Sequence, residues 1–172
     1  MPGAAHLVLV GLPGAGKSTI GRALAKRLHW PFVDLDDAIT ATCGLSVPEI
    51  FERHGEAHFR RLEREATERL TLEAAQTVVA PGGGWITVPG LVKLVRPPSR
   101  LIWLQVSPAT ALARLGADVA HRPLLAGADP LGAVTALLEA RQTFYLQADH
   151  TLSIEMMTPS DAVDAILALA RR

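Results

Sequence analysis

Asparagine is absent from all 172 residues. A guanine-reading Asn-Lys-x-Asp motif is therefore impossible, and a GTPase switch is excluded. Cysteine is nearly absent too. Cys43 stands alone, so neither an internal disulfide nor a CxxC-type zinc site can form, and the thiol is expected as a small, partly buried apolar group. No charge of either sign is in excess: Lys plus Arg number 17, and Asp plus Glu number 17. A large nucleic-acid footprint needs a basic excess, so any anion site must come from local placement of Arg and Lys. Residues 1–6 lack a charged segment leading into an apolar one with a cleavage site, and the apolar run Leu7–Leu12 is too short for a signal or a membrane span. These absences predict a cytoplasmic protein without a membrane or nucleic-acid partner.

With 49% apolar residues and no internal repeat or low-complexity linker, the chain is expected to form one domain over 1–172, with a sizeable core. Apolar runs of strand length recur at Leu7–Leu12, Phe32–Leu35, Thr77–Pro81, Leu101–Val106 and Thr151–Ile154. Most are continuously apolar, as in a parallel sheet covered on both faces. Helical segments alternate with them. Ile20, Leu24 and Leu28 form one stripe over Lys17–Leu28, and Phe59, Leu62, Ala66 and Leu70 form another. Ser46-Val47-Pro48-Glu49 is a capping box. Ser107-Pro108 is an N-cap followed by proline at the first helical position. Thr158-Pro159-Ser160-Asp161 combines both devices and opens a last helix expected to end at Arg171-Arg172. The alternation predicts a three-layer α/β/α fold on a mainly parallel sheet.

Gly11-Leu12-Pro13-Gly14-Ala15-Gly16-Lys17-Ser18 matches G-x-x-x-x-G-K-[ST] in full, between a predicted strand and a predicted helix. Glycines let backbone N–H groups turn inward around phosphates, and the helix N-terminus adds positive potential. Lys17 is expected to reach the β- and γ-phosphates of ATP and Ser18 to ligate Mg²⁺, with Gly14, Ala15, Gly16 and Thr19 completing the cradle. Asp34 and Asp36 end the second predicted strand on one face, where they would look into the ligand crevice. One suits the metal and the other an acceptor, the alternative being carboxylates in solvent. Asp37 reads as the cap of the next helix.

Further along come Gly44-Leu45-Ser46, Glu49-Ile50-Phe51 and Gly55-Glu56-x-x-Phe59-Arg60-Arg61-x-Glu63. Gly82-Gly83-Gly84, Arg122-Pro123-Leu124-Leu125, and Arg141 with Tyr145 follow. In this order and spacing, together with the P-loop and Asp-x-Asp, the chain resembles the shikimate kinase family over nearly its whole length. That resemblance implies a nucleoside monophosphate kinase-like fold with five parallel strands, an acceptor-binding helical segment at about 36–64 and a mobile lid at about 116–129. It implies a monomer that transfers the γ-phosphoryl group of ATP to shikimate. Arg60 and Arg141 then resemble the pair that holds the shikimate carboxylate, which planar guanidinium groups suit. Asp36 resembles the carboxylate that accepts from the attacking hydroxyl. Gly82, Gly83 and Gly84 resemble the loop that lets backbone approach the substrate, Asp34 the Mg²⁺ holder, and Arg122 the lid arginine over the transferring group. Arg114 and Pro159 resemble the residues at the two faces of adenine.

Other polar residues read as structural. Arg61 and Arg64 are expected to be solvated or ion-paired, and His54 and His58 to be surface residues at i, i+4 without a third ligand. Two departures from the family pattern stand out. Trp85 follows the glycines where a small residue is common, as core or as pocket wall, and Thr143 stands where the family often has proline. Two rival readings remain: a P-loop kinase for another small hydroxy acid such as gluconate, and a ligand-sensing module. The latter usually carries a DNA-binding extension.

Overall fold

A computed structural model describes residues 5–170; Met1–Ala4 and the predicted helix end at Arg171-Arg172 lie outside the described residues. Five strands form one sheet: β1 (Leu7–Val10), β2 (Phe32–Asp34), β3 (Val78–Ala80), β4 (Arg100–Gln105) and β5 (His150–Ser153), in the order β2-β3-β1-β4-β5. Every pairing is parallel, with Leu7 opposite Val78 on one side of β1 and Arg100 on the other. All five predicted strands are present, shifted or shortened at their ends. Gly11 and Leu12 leave β1 for the P-loop turn, and Leu35 already belongs to a helix. β1 is buried along its length, as is the middle of β4. The edge strand β5 instead alternates between half-buried and exposed residues, because only one neighbour and one covering layer protect it.

The helices are α1 (Lys17–Leu28), α2 (Leu35–Cys43), α3 (Val47–Leu72), α4 (Leu91–Val95), α5 (Pro108–Leu115), α6 (Pro130–Tyr145) and α7 (Pro159–Ala170). The predicted caps of α3, α5 and α7 close. Ser46 Oγ accepts from the Glu49 N–H while Glu49 accepts from the Ser46 N–H. Ser107 Oγ accepts from the Thr110 N–H, and Thr158 and Asp161 satisfy each other at the start of α7. The segment from Ser46 to Leu72 is one long helix with a break at Gly55 (φ 82°, ψ 172°), a conformation that glycine adopts without steric cost. The break falls between His54 and His58, so their spacing is not that of an unbroken helix; their rings lie 4.7 Å apart.

The sheet order places the ligand crevice. β1 is central, between β3 and β4; the chain runs from β1 out to β2 on one side, returns through β3 and then crosses to β4 on the other, and ligands bind at the carboxyl end of such a switch point in open α/β sheets. The P-loop follows β1 there. A Cβ on Gly14 (φ 82°) would sit 2.2 Å from the Ala111 carbonyl oxygen, so only glycine lets the loop pass under α5.

Candidate active site

Two adjoining cavities open at this end of the sheet. The larger, about 510 Å³, is floored by Gly14, Gly16, Lys17, Ser18 and Thr19, with Arg114 and Pro159 at its far side. The smaller, about 250 Å³, is lined by Arg60, Arg141 and the Gly82–Gly84 loop, by an apolar wall of Val47, Phe51 and Phe59, and by Arg122 to Leu125. Pro13, Asp36, Gly82, Gly83, Asp118 and Arg122 line both. Asp36 and Arg122 thus both stand where the two cavities adjoin.

In the larger cavity, Lys17 Nζ is folded back onto the P-loop, donating to the carbonyls of Gly11 and Leu12 at 2.9 Å each. Burial, with the charges of Arg122 and Arg141, lowers its pKa to about 8 despite Asp36 and Asp34. The Ala15 side chain is fully buried, and its N–H donates to the Leu12 carbonyl at 3.1 Å to close the turn. Arg114 donates to the Ile154 carbonyl at 3.0 Å, which fixes its guanidinium beside the strand-to-helix turn that carries Met157 and Pro159. Met157 had no sequence signal.

Asp34 does two things at once. It ends β2 with extended dihedrals and is itself the N-cap of α2: Oδ1 accepts from the N–H groups of Asp36 and Asp37. The cap predicted for Asp37 therefore belongs to Asp34; Asp37 sits exposed in the first turn, 3.6 Å from Arg22. Asp34 Oδ2 accepts from Ser18 Oγ at 2.6 Å. A hydroxyl and a carboxylate thus meet at the mouth of the P-loop, the hard oxygen donors that Mg²⁺ takes alongside phosphates and water. Among the described residues no group of three or more His, Cys, Asp or Glu gathers as a metal cage, so a metal here would complete its shell with phosphate oxygens and water.

Asp36 is not on a strand face, as the sequence suggested, but in the first turn of α2. It reaches the boundary of the cavities all the same. Its Oδ1 is buried without a hydrogen-bond partner. Burial and the neighbouring Asp34 raise its pKa, while Lys17 and Arg122 pull the other way.

In the smaller cavity, α3 presents Arg60 and Glu63 one turn apart. Arg60 Nη1 donates to Glu63 at 2.7 Å and Nη2 to the exposed Glu56 at 3.1 Å. Glu63 is almost fully buried, with Oε1 unpartnered, and desolvation lifts its pKa to about 7 against the pull of Arg60. The sequence reading quoted Glu63 without a role, although i, i+3 spacing from Arg60 signals a shared helix face. Each glycine of the loop clears one functional side chain: a Cβ on Gly82 would lie 2.9 Å from Asp36 Oδ1, on Gly83 2.8 Å from Arg141 Nη1, and on Gly84 2.6 Å from Arg60 Nη2. Trp85 does not line the cavity. It is core, in a 3₁₀ turn, with its ring turned to α3. Thr143 is exposed, and α6 runs through it unbroken to Tyr145. Arg61 pairs loosely with Glu65, whereas Arg64 donates to the Pro89 carbonyl instead of standing free.

Relatives with known identities are similar over most of the chain. The family model described as shikimate kinase matches residues 13–171. The shikimate kinase of a Synechococcus strain is 46% identical over 94% of this chain and 82% of its own length. That of Moorella thermoacetica is 46% identical over 87% of this chain and 83% of its own. Among solved structures, shikimate kinase from Acinetobacter baumannii in complex with shikimate superimposes with a TM-score of 0.92 at 33% identity, covering 98% of this chain and 93% of that one. The enzyme from Aquifex aeolicus superimposes with a TM-score of 0.80 at 28% identity, covering 96% of each. On these matches and on the fold, the chain belongs to the shikimate kinase family.

Proposed function

We propose that the two cavities are the donor and acceptor halves of one phosphoryl-transfer site, and that this kinase passes the γ-phosphoryl group of ATP to the 3-hydroxyl of shikimate, a step of aromatic amino acid biosynthesis. The observation that carries the reading is the shared boundary: Asp36, with its unpartnered buried oxygen, faces both cavities opposite Arg122. Phosphoryl transfer asks the protein mainly for positioning and charge stabilisation, and this boundary offers a carboxylate for the nucleophile and a guanidinium for the transferring group.

In the donor half, the N–H groups of the P-loop through Thr19 cradle the phosphates, and Arg114 and Pro159 flank the adenine. Lys17 exchanges two carbonyls for phosphate oxygens when nucleotide enters. Ser18 and Asp34 would hold Mg²⁺, Asp34 through water. Bound there, the ion would neutralise charge on the β- and γ-oxygens. In the acceptor half, Arg60 and Arg141 hold the carboxylate across the glycine loop. Asp36 accepts from the ring hydroxyl, orients it, and takes its proton; its raised pKa makes it a stronger base than an exposed aspartate. Arg122 and the lid at about 116–129 cover the transfer and exclude water, which would otherwise consume ATP. The acceptor-binding segment is about 36–64 of a single-domain, monomeric, cytoplasmic enzyme. No helix among the described residues is long and apolar enough to cross a membrane.

A coupled ADP-release assay with a panel of hydroxy acids tests the reading. Shikimate is expected to be turned over, and Arg60→Ala to raise the acceptor KM while nucleotide affinity stays near wild type. Activity on gluconate but not shikimate, or loss of nucleotide affinity in Arg60→Ala with the acceptor KM unchanged, overturns it.

A further inference from the structure

We propose that Trp85 and Thr67 are positioning residues for the acceptor: a buried indole–hydroxyl link that sets the distance between the glycine loop and α3, and so the placement of Arg60 relative to Arg141. The inference rests on the reading that these two arginines grip the acceptor's carboxylate.

Trp85 directly follows Gly84, where an added Cβ would lie 2.6 Å from Arg60 Nη2. Its ring contributes nothing to the cavity wall, yet its Nε1 donates to Thr67 Oγ1 at 2.9 Å, with both residues fully buried. Thr67 Oγ1 in turn donates to the Glu63 carbonyl at 2.7 Å. Glu63 is the partner of Arg60. The hydroxyl is therefore used as acceptor and donor together, which fixes its orientation and gives the indole one direction to point. If the site needed only bulk, an apolar side chain would fill it without the cost of burying an N–H group.

The opposite side of the loop is tied in a matching way. Tyr145 Oη donates to the Gly83 carbonyl at 3.2 Å, and Tyr145 lies one turn beyond Arg141 on α6. Thr67 lies two turns beyond Arg60 on α3, on the same side of that helix. Each helix that carries a carboxylate-binding arginine thus also carries one tether to the loop between them. Losing the Trp85 tether leaves Arg60 in place chemically but free to drift from Arg141, which costs ground-state grip on the acceptor and not nucleotide binding.

The test is steady-state kinetics with each substrate varied, on wild type, Trp85→Phe, Thr67→Val, Thr67→Ser and Arg60→Ala. Trp85→Phe is the cleaner cut, since the Thr67 hydroxyl keeps its bond to Glu63. Trp85→Phe and Thr67→Val are each expected to raise the acceptor KM by about threefold to tenfold, the worth of one such bond, with nucleotide KM unchanged. Thr67→Ser, which keeps the hydroxyl, is expected to restore the wild-type acceptor KM. Thr67→Val, nearly isosteric, carries the same reading if Trp85→Phe folds poorly. A lower melting temperature with an unchanged acceptor KM in both variants, or an equal rise in both substrates' KM, overturns the positioning role. An acceptor KM that Arg60→Ala leaves unchanged would overturn the underlying assignment instead.

Discussion

Two carboxylates face the smaller cavity, and their neighbours set them apart. Asp36 has an unpartnered oxygen at the boundary between the two cavities. Glu63 is already committed to Arg60 and has a pKa of about 7, raised chiefly by desolvation. An acceptor carboxylate docking on Arg60 places a second negative charge beside Glu63, which raises that pKa further. Acceptor binding then draws a proton onto Glu63, so affinity is highest below pH 7, where the proton is already present, and declines as pH rises toward 8. The decline can reach about tenfold for each unit by which the acceptor raises the pKa. The acceptor KM measured from pH 6 to 8 is therefore expected to climb in wild type and to flatten in Glu63→Gln. An identical climb in both would mean that another group titrates.

At the scale of elements, the segment 116–129 is lightly anchored: Leu125 is its one buried residue. Leu125 also lines the acceptor cavity, so one side chain both seats the lid and closes the site. Leu125→Ala is expected to raise acceptor-independent ADP release relative to phosphoryl transfer, because a lid without its anchor admits water; unchanged basal hydrolysis would show that the seat lies elsewhere. The capping residues that start α3, α5 and α7 were legible in the sequence, because caps are local chemistry. α2 was harder. The run Asp34-Leu35-Asp36-Asp37 offers three carboxylates as caps, and the winner depends on where β2 stops. Pairing of Asp34 with Ala80 of β3 decides that, and it is a long-range contact that no local pattern reports. The fate of Trp85 was hidden for the same reason: its partner Thr67 lies 18 residues away.

For the whole molecule, the donor and acceptor halves are separable in their ligands though continuous in space. Ligands that bind only the folded chain stabilise it by mass action, about 2.7 kcal/mol at a hundredfold excess over Kd, or roughly 5–10 °C in Tm at this chain length. MgADP and shikimate are each expected to raise Tm. Lys17→Ala should abolish the MgADP shift and keep that of shikimate; loss of both would mean that the two halves do not fold independently of the P-loop lysine. The sheet, the P-loop and the two cavity arginines could all be placed from spacing and family likeness, while the glycine loop's reason for being triple glycine could not. That reason is the room required by Asp36, Arg141 and Arg60, three side chains from three different elements.

The break at Gly55 has a bearing on how this enzyme could change. It divides α3 into a front half, which brings Val47 and Phe51 to the acceptor's apolar side, and a rear half, which carries Arg60, Glu63 and Thr67. The two halves share a chain but not a rigid axis. Mutations that reshape the front half can therefore broaden or shift the range of acceptors while the face that carries Arg60 and Glu63 is inherited intact, which makes the first half of the helix the natural place for selection, natural or directed, to act.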